Sequence, residues 1–348
     1  MILILSQTIH EPTTELVMDW LECLGARCLR LNGEDFDGDC GISLRLSTAG
    51  TELTIDESDG ACDSGRAGRG PLPLDEVEVV WYRRWQRHLR HAATEMVDDR
   101  HGIAQQARLD LSRHLNLENR KLGEVLFARL AGLPWLSSPA TVSPNKLVVL
   151  ERAAAAGLDV PATLVTTSRA ELESFAAEHG PLITKALSEA HSFYLDGCHH
   201  VMHTLAVEPA DIAALPTSFP ASLFQERLPK QYELRVFYLT GECHAMAIFS
   251  QNDPQTRIDF RNYNFARPNR YVPYRLPAAV VAAIDALMRS LCMETGSIDL
   301  VKTTDGRMVF LEVNPNGQFT MVSKPCNYHL ERKLAETLMR KAAADGPA

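Results

Sequence analysis

Asp299, Glu312 and Asn314 are the side chains whose types and spacing point most directly to chemistry. They lie in the stretch running from Gly296 through Asp305-Gly306 to Gly317-Gln318. Asp305-Gly306 is a two-residue hairpin signal, because the tight turn that suits strand twist needs positive φ at its centre. With that loop Thr304 faces Arg307, and counting outward sets Asp299 opposite Glu312. Glu312 and Asn314 are two apart and share that face. Carboxylates directly opposite each other repel. A hard cation such as Mg2+ turns the repulsion into binding, since it takes carboxylate oxygens and fills its other positions with water and substrate phosphates. Ile298, Leu300, Val309, Leu311 and Val313 are expected on the other, buried face. The plain alternative is a surface hairpin whose acids point to solvent.

A metal hairpin does not choose a reaction, so the groups that would hold an anion beside it come next. Neither the Gly-x-x-x-x-Gly-Lys-Ser/Thr nor the Gly-x-Gly-x-x-Gly phosphate loop occurs. Lys146 opens an expected helix, whose free amides and dipole add positive potential. Lys185 sits among Leu182, Ile183, Ala186 and Leu187, where an ammonium needs an anion. An ordinary surface lysine is the alternative at each position. Glu233 and Arg235 share one strand face, either as a simple ion pair or as a ribose acceptor beside a phosphate fork. Pro254 to Arg275 carries Arg257, Arg261, Arg267, Arg270 and Arg275 against one acid, Asp259, with aromatic residues between them. Such a composition also suits single-stranded nucleic acid, but Pro254, Pro268 and Pro273 make it a loop, and an acidic substrate fits better. Trp81 to His91 is a second basic, aromatic stretch. His199, His200 and His203 read as a solvated loop rather than a metal cluster.

These groups must be positioned by elements of a soluble-type chain. Its 348 residues imply two or three domains. No apolar run approaches the roughly 18 residues of a membrane span. The start, Met-Ile-Leu-Ile-Leu-Ser, reads as a buried strand rather than a signal peptide, so a cytoplasmic location is expected. Eight cysteines without a Cys-x-x-Cys pair argue against a disulfide framework and a zinc site. The net charge of −9 disfavours general nucleic-acid binding. An N-terminal α/β region is expected at 1–115, with Thr13 or Thr14 capping its first helix and Gly25 stopping it. A helical linker and α/β subdomain follow at 116–221, then a mostly antiparallel subdomain bearing the metal hairpin at 222–340, and a tail at 341–348.

Taken together, these segments resemble the ATP-grasp ligases. Pro144-Asn-Lys146, Ile183-Thr-Lys185, Gln225-Glu226, Glu233-x-Arg235 and the Asp299, Glu312-x-Asn314 hairpin occur in that superfamily's order and approximate spacing, over about residues 140–340. Within it, Glu11-Pro-Thr-Thr14, Asn32-Gly-Glu-Asp35, Tyr82-Arg-Arg-Trp85, Asp259 to Asn264, Pro268-Asn-Arg270 and Phe310 to Pro315 with Gly317-Gln318 resemble the grasp-with-spasm peptide maturases of the microviridin type.

The resemblance implies an α/β (α+β) ATP-grasp fold behind an N-terminal pre-ATP-grasp domain, with ATP and two Mg2+ ions as cofactors. Lys146 and Lys185 would hold phosphates, and the backbone at Gln225, Glu226, Arg227 and Leu228 the adenine. Glu226 or Glu233 would contact adenine or ribose. Asp299, Glu312 and Asn314 would carry the metals. Arg235 and Arg261 would bind the target carboxylate or its acyl phosphate, Asp259 would aid metal binding or nucleophile deprotonation, and Arg257 would contact the peptide. The substrate would be a ribosomal precursor peptide with leader and core, cross-linked internally from Asp/Glu to Thr/Ser or Lys, and the enzyme a homodimer. One departure is visible: the flap from Ser188 to Gly197 has a single glycine, which brings Glu189 and His191 forward as substrate contacts. Alternatives are a ligase adding an amino acid to a carboxylate, like the ribosomal-protein glutamate ligases, and a non-catalytic peptide- or nucleic-acid-binding scaffold.

Overall fold

A computed structural model describes residues 1–7, 11–36, 40–57, 71–72, 74–85, 105–188, 192–195, 198–201, 204–257, 260 and 264–344. The chain divides into two compact units, Met1–Val142 with His329–Ala348, and Ser143–Tyr328. The segments expected from sequence cut it more finely. Among the described residues no helix is long and apolar enough to cross a membrane.

In the first unit the strands run Cys28–Asn32, Ile2–Ser6, Val79–Tyr82, Trp135–Leu136 across a parallel sheet. Ile2–Ser6 is buried along its whole length, which is why it reads as a continuous apolar run. The helix Pro12–Cys23 starts with proline at a position that needs no amide donor. Its cap corrects the sequence reading. Glu11, not Thr13 or Thr14, is the cap residue, and its side chain makes no capping bond. That carboxylate is instead fully buried between Arg83 Nε at 3.1 Å and Arg84 Nε at 2.8 Å. Gly25, at φ +76°, ends the helix turn as expected. The helix Leu330–Ala344 was not anticipated. It buries Leu330, Leu334 and Leu338 at four-residue spacing and packs on Pro12–Cys23.

Beside the antiparallel pair Ser192–Leu195 with Cys198–Val201, the second unit has, among the described residues, two larger antiparallel sheets. One orders its strands Leu205–Val207, Leu182–Lys185, Ser218–Glu226, Thr163–Ser168. The other runs Arg270–Tyr274, Glu242–Phe249, Lys230–Leu239, Thr295–Thr303, Met308–Asn314. Helices Lys146–Ala155 and Ala278–Ser290 contribute Val149, Leu150, Ile284 and Leu287 to a core whose sheet side includes Leu234, Val236, Ile298, Leu300, Phe310 and Val313.

The hairpin register repays close reading. Its turn is longer than Asp305-Gly306 implies: Gly306 N donates to Thr303 O at 3.1 Å, Thr303 N donates to Arg307 O at 3.0 Å, and Gly306 takes φ +94°. Three residues therefore form the loop, the common alternative to the two-residue turn. Lys302 pairs with Met308, Val301 with Val309 and Leu300 with Phe310. A bulge then adds one residue, and Asp299 faces Glu312 after all. The longer loop and the bulge cancel. The bulge sends Val309 and Leu311 to the face opposite the one expected, where they cluster with Leu228 and Val301, while Ile298, Leu300 and Val313 keep the buried face assigned to them.

Candidate functional site

A cavity of about 540 Å3 opens in the second unit, within the usual size of a small-molecule site. Its walls come from both sheets. Strand Leu182–Lys185 brings Lys185, and the segment leaving Ser218–Glu226 brings Gln225, Glu226, Arg227, Leu228 and Lys230. Strand Lys230–Leu239 adds Glu233, and the hairpin adds Asp299, Val301, Leu311 and Glu312. Arg257 and Phe260 lie at the remaining side.

Helix Lys146–Ala155 begins on Asn145, whose side chain accepts from the amides of Leu147 and Val148. Asn145 thus takes up two end amides and fixes the first turn. Lys146 Nζ donates to Ser188 O at 2.8 Å and lies 4.0 Å from Glu312 Oε2. Arg235, directly across the ladder from Asp299, donates from Nη1 to both Asp299 oxygens at 2.7 and 2.8 Å. Its Nε is buried and has no hydrogen-bond partner among the described residues. Neither Lys146 nor Arg235 lines the cavity, but each reaches it through an acid that does.

Lys230 Nζ donates to Glu233 Oε1 at 2.6 Å. Gln225 is buried, with Nε2 bonded to Thr163 Oγ1 at 2.9 Å. Glu226 lines the cavity while its Oε1 accepts from Ala162 N at 3.1 Å and its carboxylate is forked by Arg307. Arg227 lies 3.7 Å from Glu208. Asn314 pairs with Ser297, is exposed, and accepts from Asn316 N at 3.1 Å; it stands outside the cavity lining.

Asp299 and Glu312 are two hard oxygen donors on adjacent strands, and a guanidinium already sits between both oxygens of Asp299 as a cation would. That donor set fits a hard divalent ion. Among the described residues no group of three His, Cys, Asp or Glu side chains is arranged for a metal; the expected set counts the amide of Asn314 beside the two acids. Arg261, Asp259, Glu189 and His191 lie outside the described residues.

The sequence reading gave no site role to four residues here. Lys230 pairs with Glu233 three positions away, a spacing visible in sequence. Arg307 and Asp159 meet only through the fold. Gly317 is required by contact: a Cβ there would stand 2.3 Å from Ser297 Cβ, 2.5 Å from its Oγ and 3.2 Å from Arg235 Nη2.

No family model and no curated protein matches the sequence. Solved structures do. A RiPP-associated ATP-grasp ligase from Chryseobacterium gregarium, in complex with ADP and a leader and core peptide, is 21% identical with TM-score 0.79, covering 99% of this chain and 97% of its own. The macrocyclase MdnC from Microcystis aeruginosa, bound with precursor peptide MdnA, is 26% identical with TM-score 0.76, covering 98% and 99%. The ATP-grasp ligase PsnB, complexed with minimal precursor, Mg and ADP, is 17% identical with TM-score 0.71, covering 98% and 97%. The chain has the ATP-grasp fold, as an α/β protein, and matches these ligases end to end.

Proposed function

We propose that this structural homologue of the ATP-grasp macrocyclases is itself an ATP-dependent ligase that closes side-chain rings in a ribosomal precursor peptide. The observation that carries the reading is the convergence of Lys146, Lys185, Asp299, Glu312 and the Arg235 guanidinium about one cavity. The MdnC, PsnB and Chryseobacterium structures hold precursor peptides, and two of the three hold ADP.

In the proposed reaction an Asp or Glu carboxylate of the peptide attacks the γ-phosphorus of ATP, giving an acyl phosphate and ADP. A Thr or Ser hydroxyl, or a Lys amine, then attacks the acyl carbon and phosphate leaves. Lys146 and Lys185 hold phosphate oxygens. The backbone from Gln225 to Leu228 meets the adenine. Glu226 or Glu233 is assigned to adenine or ribose groups, Glu226 being forked by Arg307 and Glu233 bonded to Lys230. Arg235, already seated on a carboxylate, holds the acyl phosphate, and Arg261 and Asp259 are proposed to aid it. Arg257, Glu189 and His191 are assigned to the peptide. Asp299, Glu312 and Asn314 would hold two magnesium ions. Bound there, magnesium would supply neutralisation of the triphosphate and the acyl phosphate. Binding both peptide groups in one site replaces a bimolecular encounter. Self-association as a homodimer is proposed with this reading, and sedimentation tests it.

Mass spectrometry of an acidic, threonine-rich candidate peptide with ATP and Mg2+ separates the alternatives. Loss of one water per bond with ADP release supports ring closure. Gain of an amino-acid residue supports a glutamate-ligase-like activity, and an unchanged peptide without ADP supports a binding scaffold.

A further inference from the structure

Arg307, at the tip of the metal hairpin, takes no part in the reaction outlined above, yet it joins three separate segments of the second unit. Nε and Nη2 donate to Asp159 Oδ2 and Oδ1 at 2.8 and 3.1 Å. Nη1 and Nη2 donate to Glu226 Oε2 and Oε1 at 3.3 and 3.1 Å. Asp159 follows helix Lys146–Ala155, Glu226 ends strand Ser218–Glu226, and Arg307 directly follows the three-residue turn.

Backbone bonds run beside each fork. Phe310 N donates to Asp159 O at 2.7 Å, Glu226 N to Ala162 O at 3.0 Å and Thr304 N to Pro229 O at 2.8 Å. The segments joined are neighbours that both line the cavity: the run from Glu226 to Lys230, whose Lys230 pairs with Thr303, and the hairpin with Asp299 and Glu312. A planar guanidinium fixes the separation of two carboxylates in a way that an ammonium does not. Its partners are part exposed, Asp159 by 41% and Glu226 by 19%, so geometry rather than net stabilisation is what the fork supplies. Without it, the Asp159 and Glu226 carboxylates would be left beside each other, and their repulsion would shift the segments that carry them.

We propose that Arg307 is a positioning residue that sets the register between two segments lining the nucleotide cavity, tying the adenine-facing segment to the metal-bearing hairpin through Glu226 and Asp159. The proposal rests on the nucleotide reading of the cavity. It assigns Arg307 no contact with substrate, only the register between the groups that make such contacts.

Calorimetric titration of the full chain with ADP and Mg2+, before any peptide is added, tests it. Arg307→Lys keeps the charge but loses the fork, and is expected to weaken ADP about tenfold, the effect of losing a charged hydrogen bond. Asp159→Asn, a milder change, is expected to weaken it about threefold. Peptide affinity and the thermal midpoint should stay at wild-type values in both. A merely structural arginine would instead lower the midpoint and weaken peptide and nucleotide alike, and that pattern overturns the proposal. So does ADP binding at wild-type strength in both variants. Wild-type protein that binds no ADP overturns the nucleotide reading and, with it, the inference.

Discussion

Gly317→Ala is the sharpest perturbation of the site, because one methyl group acts on Arg235, which holds Asp299, the acid proposed as a metal ligand. The added Cβ would lie 2.3 Å from Ser297 Cβ and 3.2 Å from Arg235 Nη2. Carbon atoms rest at about 3.5–4.0 Å, so one segment must give way by more than about 1 Å. Ser297 is fully buried on strand Thr295–Thr303, two residues before Asp299, and cannot yield cheaply. The turn after Asn314 is expected to move and to push Arg235 off Asp299. Overpacking of this kind costs about 1–3 kcal/mol, and a displacement near 1 Å at a reacting centre costs about a hundredfold in rate. The assay is ADP release with peptide, alongside the thermal midpoint. Ser297→Gly in the same chain removes both close atoms, so the double variant should regain most of the lost midpoint and turnover. A single variant with wild-type turnover and midpoint would refute the reasoning, as would a double variant no better than the single.

Three further outcomes follow from other parts of the molecule. Lys146→Met removes the ammonium 4.0 Å from Glu312 and should raise the KM for ATP about tenfold, as loss of a charged hydrogen bond does; an unchanged KM removes Lys146 from the phosphate site. Glu11→Gln leaves buried Arg83 and part-buried Arg84 without their carboxylate, a change worth about 3–5 kcal/mol, read as a lower urea midpoint for the first unit; no shift would mean the pair is dispensable. Burial first, then the Tyr274 hydroxyl, pushes Tyr232 up from 10 to about 12. Its stabilising contribution is complete below pH 10 and is lost as pH rises through about 12. Tyr232→Phe should therefore flatten the alkaline fall of the thermal midpoint over that window, and an unaltered slope would count against the assignment.

Much of this was legible because local patterns and tertiary packing agree. Ile2–Ser6, the helix ending at Gly25, the helix opening at Lys146 and the antiparallel C-terminal strands follow from apolar periodicity and turn residues. The pairing of Asp299 with Glu312 was expected, but by an incomplete route: Asp305-Gly306 signals a turn without fixing its length, and no residue type announces the compensating bulge at Leu311. Val309 and Leu311 were accordingly put on the wrong face. Helix Leu330–Ala344 has a readable Leu330, Leu334, Leu338 spacing, yet Pro325 within the preceding helix and left-handed Asn327 and His329 break the run before it. That it packs with the first unit is a long-range contact no window contains. The same limit hid Arg307, whose partners lie 148 and 81 residues away, and Gly317, whose need for a missing Cβ arises from Ser297.

Oxygen tracing offers the most direct test of acyl-phosphate ligation at this cavity. A candidate precursor would carry heavy oxygen in its Asp and Glu carboxylates and react with unlabelled ATP and Mg2+. The phosphate released should contain one heavy oxygen for each ring closed, because the carboxylate oxygen leaves with phosphorus. Rings that form while the phosphate stays unlabelled and the heavy oxygen leaves as water would contradict the account.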